Sequence, residues 1–188
     1  MARVNTSPLV KTYTIEEFWR LPESPDGSKR ELIAGVLFKT PPPEYYHDNA
    51  VSKLADLLLA HKVAKGIGGK FYFPRAAIWT GADTYLEPDM FYVSAELEAR
   101  LDPKRRSSAD LVVEVVSPSS SVYDRNTKAD TYRALRVREL WLADTNNRTI
   151  EVRKSTGNGF GPTSVFGHAD LIKSDVFPDL HLSASDVL

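Results

Sequence analysis

Three residues of this sequence have the types and surroundings to do chemistry together. Glu114 lies inside Leu111-Val112-Val113-Glu114-Val115-Val116, a run that is otherwise apolar. An unpaired carboxylate there is costly, so a chain that keeps one brings a cation to it. That cation is either a Lys or Arg in a buried ion pair or a metal ion at the working edge of a sheet. Asp89 follows Pro88 in another strand-like stretch, and a hairpin-like return sets the two carboxylates side by side. Read alone, Asp89 has a second reading as a turn residue beside a proline. Two carboxylates in an oxygen-rich pocket suit Mg²⁺ or Mn²⁺, since hard cations take carboxylate, carbonyl and water ligands. Lys128 comes one helical turn after Asp124 and one before Tyr132. An ammonium there can orient a water and offset charge on a pentavalent phosphate. The plainer reading is a solvated lysine on an exposed helical face.

Elements must hold these groups, and the pattern supplies them. Leu111-Val112-Val113-Glu114-Val115-Val116 is apolar on both faces and reads as a central strand. Residues 124–137 fit a long helix after it, and such a helix packs back so that its first turns approach the strand's carboxyl end. Thr14-Ile15-Glu16-Glu17 has capping-box form and opens a short helix. Residues 31–38 read as two short strands around a tight turn, and Pro41-Pro42-Pro43 breaks the chain before a first long helix. That helix carries Val51, Leu54, Ala55, Leu58 and Leu59 at helical spacing, with Gly66 as its stop. Residues 71–79 look like strand with a bulge or edge at Pro74, and residues 85–93 like one strand interrupted by Pro88. Glu139-Leu140-Trp141-Leu142-Ala143-Asp144 and Thr149-Ile150-Glu151-Val152-Arg153 make a hairpin around Asn146-Asn147. Weak strands follow near Val165-Phe166 and Leu180-His181-Leu182. The sum is an α/β arrangement, one domain over residues 1–188 with one sheet covered by helices.

Composition narrows the chemistry. The chain has 188 residues, 42% of them hydrophobic and 26% charged, so a real core is available and folding hides roughly 70% of the extended surface. The formal net charge is −1, which excludes a strongly basic nucleic-acid coat but not a small basic cleft. There is no cysteine, which removes disulfides, zinc ribbons, thiol nucleophiles and iron–sulfur clusters together. His47, His61, His168 and His181 are scattered without metal-ligand spacing. Gly66-Ile67-Gly68-Gly69 opens no G-x-G-x-x-G element, and there is no P-loop and no G-x-S-x-G elbow. No apolar run approaches ~20 residues and Met1-Ala2-Arg3-Val4-Asn5 lacks a signal-peptide core. A cytoplasmic protein without membrane contact is the expectation.

The ordered set Pro88-Asp89, Leu111 to Ser119, Asp124, Lys128, Tyr132 and Glu139 to Asp144 resembles the Uma-two family of endonucleases, within the PD-(D/E)XK or restriction-endonuclease-like superfamily. Glu31-Leu32-Ile33-Ala34-Gly35, the helix opening at His47 and the closing Phe177-Pro178-Asp179-Leu180 fit it too. The resemblance covers nearly the whole chain. It implies a restriction-endonuclease-like fold, a mixed central β-sheet flanked by helices, and a Mg²⁺- or Mn²⁺-dependent DNA endonuclease. Pro88-Asp89 stands for PD and Glu114 for D/E, with the Val115 carbonyl a further metal ligand. The lysine expected two residues after Glu114 is Val116, so either Lys128 acts from the helix or catalysis is lost. Glu31 matches the family's N-terminal acidic residue and adds a metal or water contact, or else pairs with Lys29 or Arg30 at a strand edge. His47 touches phosphate or water, or simply caps its helix. Arg125, Lys104, Arg105 and Arg106 are candidate phosphate contacts, or ordinary solvated surface. Arg136 stands where the family commonly has glycine, and Asp144 reads as structural. The rival function is a degenerate nuclease fold that binds nucleic acid or a partner protein. A metal-dependent enzyme for another phosphoester is the third. DNA is the expected partner, and a homodimer stays open.

Overall fold

A computed structural model of the chain describes residues 10–118 and 120–188. The N-terminal segment read as lacking a signal-peptide core, and Ser119 of the loop after the central strand, lie outside the described residues. The elements are α1 (Ile15–Trp19), β1 (Lys29–Ile33), β2 (Val36–Thr40), α2 (Tyr45–Ala64), β3 (Lys70–Tyr72), β4 (Ile78–Trp79), β5 (Tyr85–Leu86) and β6 (Met90–Val93). There follow α3 (Ala95–Glu98), β7 (Leu111–Val116), a wide π-helical segment (Tyr123–Lys128), α4 (Ala129–Ala134), β8 (Glu139–Asp144), β9 (Thr149–Lys154), β10 (Ser164–Phe166) and α5 (Ala184–Val187).

The larger sheet is mixed, in the order β10-β9-β8-β7-β6-β3. All six residues of β7 are buried, as an apolar run with a neighbour on each side requires. It pairs parallel with β8 and antiparallel with β6. Leu111, Val113 and Val115 pack with Leu54 and Leu58 of α2 on one face. Val112 and Val116 pack with Tyr132 of α4 on the other. Glu114 lies between Val112 and Val116 and shares their face by strand alternation. β8 and β9 form the expected hairpin, whose turn holds Arg148 at φ 53°. Thr14 caps α1 with the reciprocal bonds of a capping box.

Four expectations change. First, there are two sheets rather than one: β2-β1-β5-β4 makes a second, antiparallel sheet. Its β1–β2 hairpin turns on Ala34 (φ 48°) and Gly35 (φ 78°), the pair of left-handed residues that a two-residue primed turn needs. Second, residues 71–79 and residues 85–93 each divide into two strands in different sheets, β3 from β4 and β5 from β6. Proline has no N–H for the ladder, so at Pro88 the chain leaves β5 and enters β6. Asp89 therefore sits where the sheets meet. Third, the helix expected over 124–137 begins with wide turns and its α-helical part ends at Ala134. The widening leaves Asp124, Lys128 and Tyr132 all buried. Fourth, residues 180–182 form no strand: only an isolated bridge, Leu171 to Ser183, and the bond from Ile172 N–H to the Leu182 carbonyl tie that segment in. No helix of the described residues is long and apolar enough to cross a membrane.

Arg136 lies just past α4, exposed, at φ 60°. The left-handed region strains an L side chain by about 1–2 kcal/mol, and glycine removes that strain at roughly 0.5–1 kcal/mol of added unfolded-state entropy. Arg136→Gly is expected to raise the melting temperature by about 1–4 °C. A scanning calorimetry trace with no rise, or a fall, contradicts this reading of the turn.

Candidate active site

A cleft of about 310 Å³ opens at the carboxyl end of β7. Lys29 of β1, His47 of α2, Asp89, Glu114, Val115, Asp124 and Lys128 all line it, with Pro41, Pro42 and Pro43 forming an apolar wall. The register explains why the acids meet. Met90 of β6 is opposite Val113 of β7, so in an antiparallel pair Asp89 falls opposite Glu114.

Asp89 is fixed from three sides. Its Oδ2 accepts the Val115 N–H at 2.8 Å and lies 3.1 Å from His47 Nε2. Its Oδ1 is 3.7 Å from Lys29 Nζ. Burial opposes the charge, but the His47 hydrogen bond, then Lys29 and Lys128, hold the carboxyl well below the usual carboxylate range. Burial likewise opposes an imidazolium at His47, yet Asp89 and then Asp48 raise its pKa.

Glu114 has the opposite character. It is 2% exposed, and burial pushes its carboxyl up to about 8, with Lys128 pulling down and Asp89 adding repulsion. Its Oε1 accepts from Lys128 Nζ at 2.9 Å and from the Tyr132 hydroxyl. Lys128, also 2% exposed, lies 3.3 Å from Glu31 Oε2 and 3.6 Å from Asp124 Oδ1. Burial disfavours its ammonium, but Glu114, Glu31, Asp124 and Asp89 outweigh that and lift its pKa well above the ordinary value. Glu31 Oε1 accepts the Glu87 N–H at 2.9 Å, and its Oε2 accepts from Tyr123 at 3.1 Å. That pins β1 to the crossover carrying Asp89.

Asp89, Glu114, Lys128, Glu31 and Val115 thus come together, and His47 joins them through Asp89. Lys128 is not a solvated lysine: it makes the buried ion pair that Glu114 was expected to need, and the pair faces a cleft. Val116 is 1% exposed in the apolar cluster that also holds Ile33, Ile78 and Leu86. The other four cationic candidates stand elsewhere. Arg125 Nη2 is 2.5 Å from Asp144 Oδ2 and its Nε donates to Glu151 Oε1 at 2.7 Å. Asp144 also accepts the Asn146 and Asn147 N–H groups, so it ties the β8–β9 turn to the helix. Lys104, Arg105 and Arg106 line a separate cleft of about 280 Å³, where the Arg106 guanidinium lies 4.2 Å over the Tyr72 ring.

Lys29 was expected at most as a partner of Glu31, from which it stands 3.9 Å, and not as a partner of Asp89, while Tyr123 had no expected role. Lys29 was legible in principle, since it is two residues before Glu31 on a strand and so shares its face. Tyr123 was not, because only the wide helical turn brings its hydroxyl to Glu31.

The donors suit a hard cation. Among the described residues no three His, Asp or Glu side chains form a complete metal cluster. Two carboxylates, Asp89 and Glu114, and a main-chain carbonyl at Val115 offer oxygen alone, and Mg²⁺ is commonly held by one or two carboxylates while keeping several waters. The residues fit such an ion.

A mixed sheet with an acidic cleft at the end of its parallel pair belongs to the restriction-endonuclease-like class of folds. The chain belongs to the Uma2 family, described as "Putative restriction endonuclease", whose model matches residues 15–185. Its fold is that of a solved protein described as "a putative nuclease belonging to DUF820 from Anabaena variabilis ATCC 29413". The two share 21% sequence identity with a TM-score of 0.74, over 93% of this chain and 97% of that one. No curated protein matches the chain.

Proposed function

We propose that this member of a nuclease family is a divalent-metal-dependent DNA endonuclease that hydrolyses phosphodiester bonds in the cleft. One observation carries the reading. Lys128 Nζ stands 2.9 Å from Glu114 Oε1 on the cleft wall, so the helix supplies the ammonium that position 116 lacks. Asp89, Glu114 and the Val115 carbonyl would hold Mg²⁺ or Mn²⁺, with Glu31 one shell further out behind Lys128. Such an ion supplies Lewis acidity toward the phosphate and a lowered pKa for its bound water. Lys128 orients the attacking water and offsets charge developing on the phosphate. His47 and Lys29 keep Asp89 ionised and aligned. Tyr132 and Tyr123 fix the Glu114 and Glu31 carboxyls, so the constellation needs little reorganisation.

Metal binding is the first test, because only the folded chain assembles these acids. With a dissociation constant of ~1 mM, ~10 mM Mg²⁺ adds roughly 1.4 kcal/mol, or about 3–5 °C in melting temperature. The shift is expected in the parent chain and nearly absent in Asp89→Asn. An equal shift in both places the ion elsewhere.

A further inference from the structure

Beside the cleft, the first turn of α2 carries two aromatic side chains that the core does not use. Tyr45 is 76% exposed and Tyr46 73% exposed. Their rings pack edge to face with centroids 5.6 Å apart and planes at 76°. They are flanked by Glu44 and His47, both of which line the cleft. A large apolar ring held this far into solvent at the mouth of a site suits a flat partner.

The charges around the same mouth argue against a duplex. Lys29 and Lys128 are the only lysines or arginines among the described residues lining the cleft, and both are engaged by carboxylates. Glu44 and Asp48 put acids on the rim. Lys39, on the neighbouring hairpin, is held 2.7 Å from Asp26. Duplex DNA presents a charge every ~1.7 Å of its axis, and proteins that grip it neutralise several phosphates with free basic side chains. Among the described residues, the cleft lining has no lysine or arginine without a carboxylate partner. A single strand makes a smaller demand: one phosphate enters the acidic site while neighbouring bases turn their faces to aromatic rings and the Pro41-Pro42-Pro43 wall. Base–ring stacking tolerates any base, because every base has a π-face, and it adds about 1–3 kcal/mol per base beside whatever phosphate contacts exist.

We propose that Tyr45 and Tyr46 form a base-stacking platform and that the preferred substrate is single-stranded or locally unpaired nucleic acid. The proposal rests on the nuclease reading above and names its substrate class. Stacking reads base faces, which DNA and RNA share, so both strands are arms of the test.

Fluorescence anisotropy in Ca²⁺ buffer, with labelled strands of about 12 nucleotides, compares single-stranded DNA, single-stranded RNA and the DNA duplex. The proteins are the parent chain and the double variant Tyr45→Ala/Tyr46→Ala. Both substituted positions are exposed, and a thermal melt checks that the variant is folded. The parent is expected to bind a single strand at least about tenfold more tightly than the duplex. Its affinity should fall with salt only gently, with a log–log slope of about −0.7 for the one phosphate that enters the site. The double variant should lose about 5- to 100-fold in single-strand affinity. Equal binding of DNA and RNA supports recognition through base faces alone, and tighter binding of one supports the platform with an added sugar contact. Duplex binding as tight as single-strand binding, or unchanged affinity in the folded double variant, overturns the proposal. Cleavage in Mg²⁺ or Mn²⁺ separates the two readings. Cleavage without tyrosine dependence leaves the nuclease standing and removes the platform. Tyrosine-dependent binding without cleavage does the reverse, and no binding to any of the three overturns both.

Discussion

Lys128→Ala is expected to lose stability and cleavage together. Its ammonium sits within 2.9–3.6 Å of Glu114, Glu31 and Asp124, and all three acids are buried. Removing the cation leaves those carboxyls uncompensated, which costs about 3–5 kcal/mol in comparable buried pairs. Urea unfolding in EDTA reads that loss. Cleavage by the fraction still folded should fall by a further ~10²–10³, the usual effect of deleting one transition-state donor. Lys128→Arg is expected to recover little of the rate, because a planar fork cannot replace a compact point charge among three acids. Moving the lysine back with Val116→Lys offers no rescue, since that side chain packs against apolar neighbours. A stable and fully active Lys128→Ala contradicts the assignment on both counts.

Glu114→Gln should separate catalysis from structure. The amide keeps an oxygen that can accept from Lys128 and Tyr132, but it cannot hold a metal ion as a carboxylate does. Cleavage should fall to background. Stability in EDTA depends on pH, and the sign follows from the raised pKa. The folded chain holds a proton on Glu114 that the unfolded chain has released. The contribution is therefore complete below the ordinary carboxyl value of 4.5 and is lost as pH rises through about 8. Glutamine has no proton to lose, so the variant should gain on the parent between pH 5 and pH 9. Asp89 works the other way in both proteins, since its lowered pKa gives stability above 3.8 that is lost as pH falls further. Denaturant midpoints across that range check the crossover. A loss of several kcal/mol at every pH would make Glu114 only a structural partner of Lys128.

The backbone of this site was legible in the sequence because its signals are local. An apolar run with one acid, Leu111–Val116, could only be a central strand. Asp89, next to a proline in the preceding strand-like stretch, was the acid that a hairpin-like return could bring near it, and the antiparallel pairing of β6 with β7 does so. The helix after β7 follows from the rule for parallel crossovers. What was not legible depends on distant partners. Pro88 marks an interruption, but whether the flanking strands stay in one sheet depends on β1, which captures β5. Lys128 could equally have faced water; its burial requires the widened turns of Tyr123–Lys128, which no spacing announces. Arg125 looked free for phosphate, and it is claimed by Asp144 and Glu151 from two other strands. Arg136 was noted as a departure at a turn, and its φ of 60° shows why glycine suits that place.

The central claim is that the Asp89–Glu114–Lys128 cleft hydrolyses nucleic-acid phosphodiesters with a divalent ion. Its most direct test is cleavage of circular single-stranded DNA and of supercoiled plasmid by the parent chain and by Glu114→Gln, each with Mg²⁺, with Mn²⁺ and with EDTA. The account predicts that the parent linearises DNA in at least one of the two metals, the single-stranded circle faster than the plasmid. It also predicts no product in EDTA and none from folded Glu114→Gln. Intact DNA after incubation with folded parent in both metals, or equal cleavage by parent and Glu114→Gln, contradicts it.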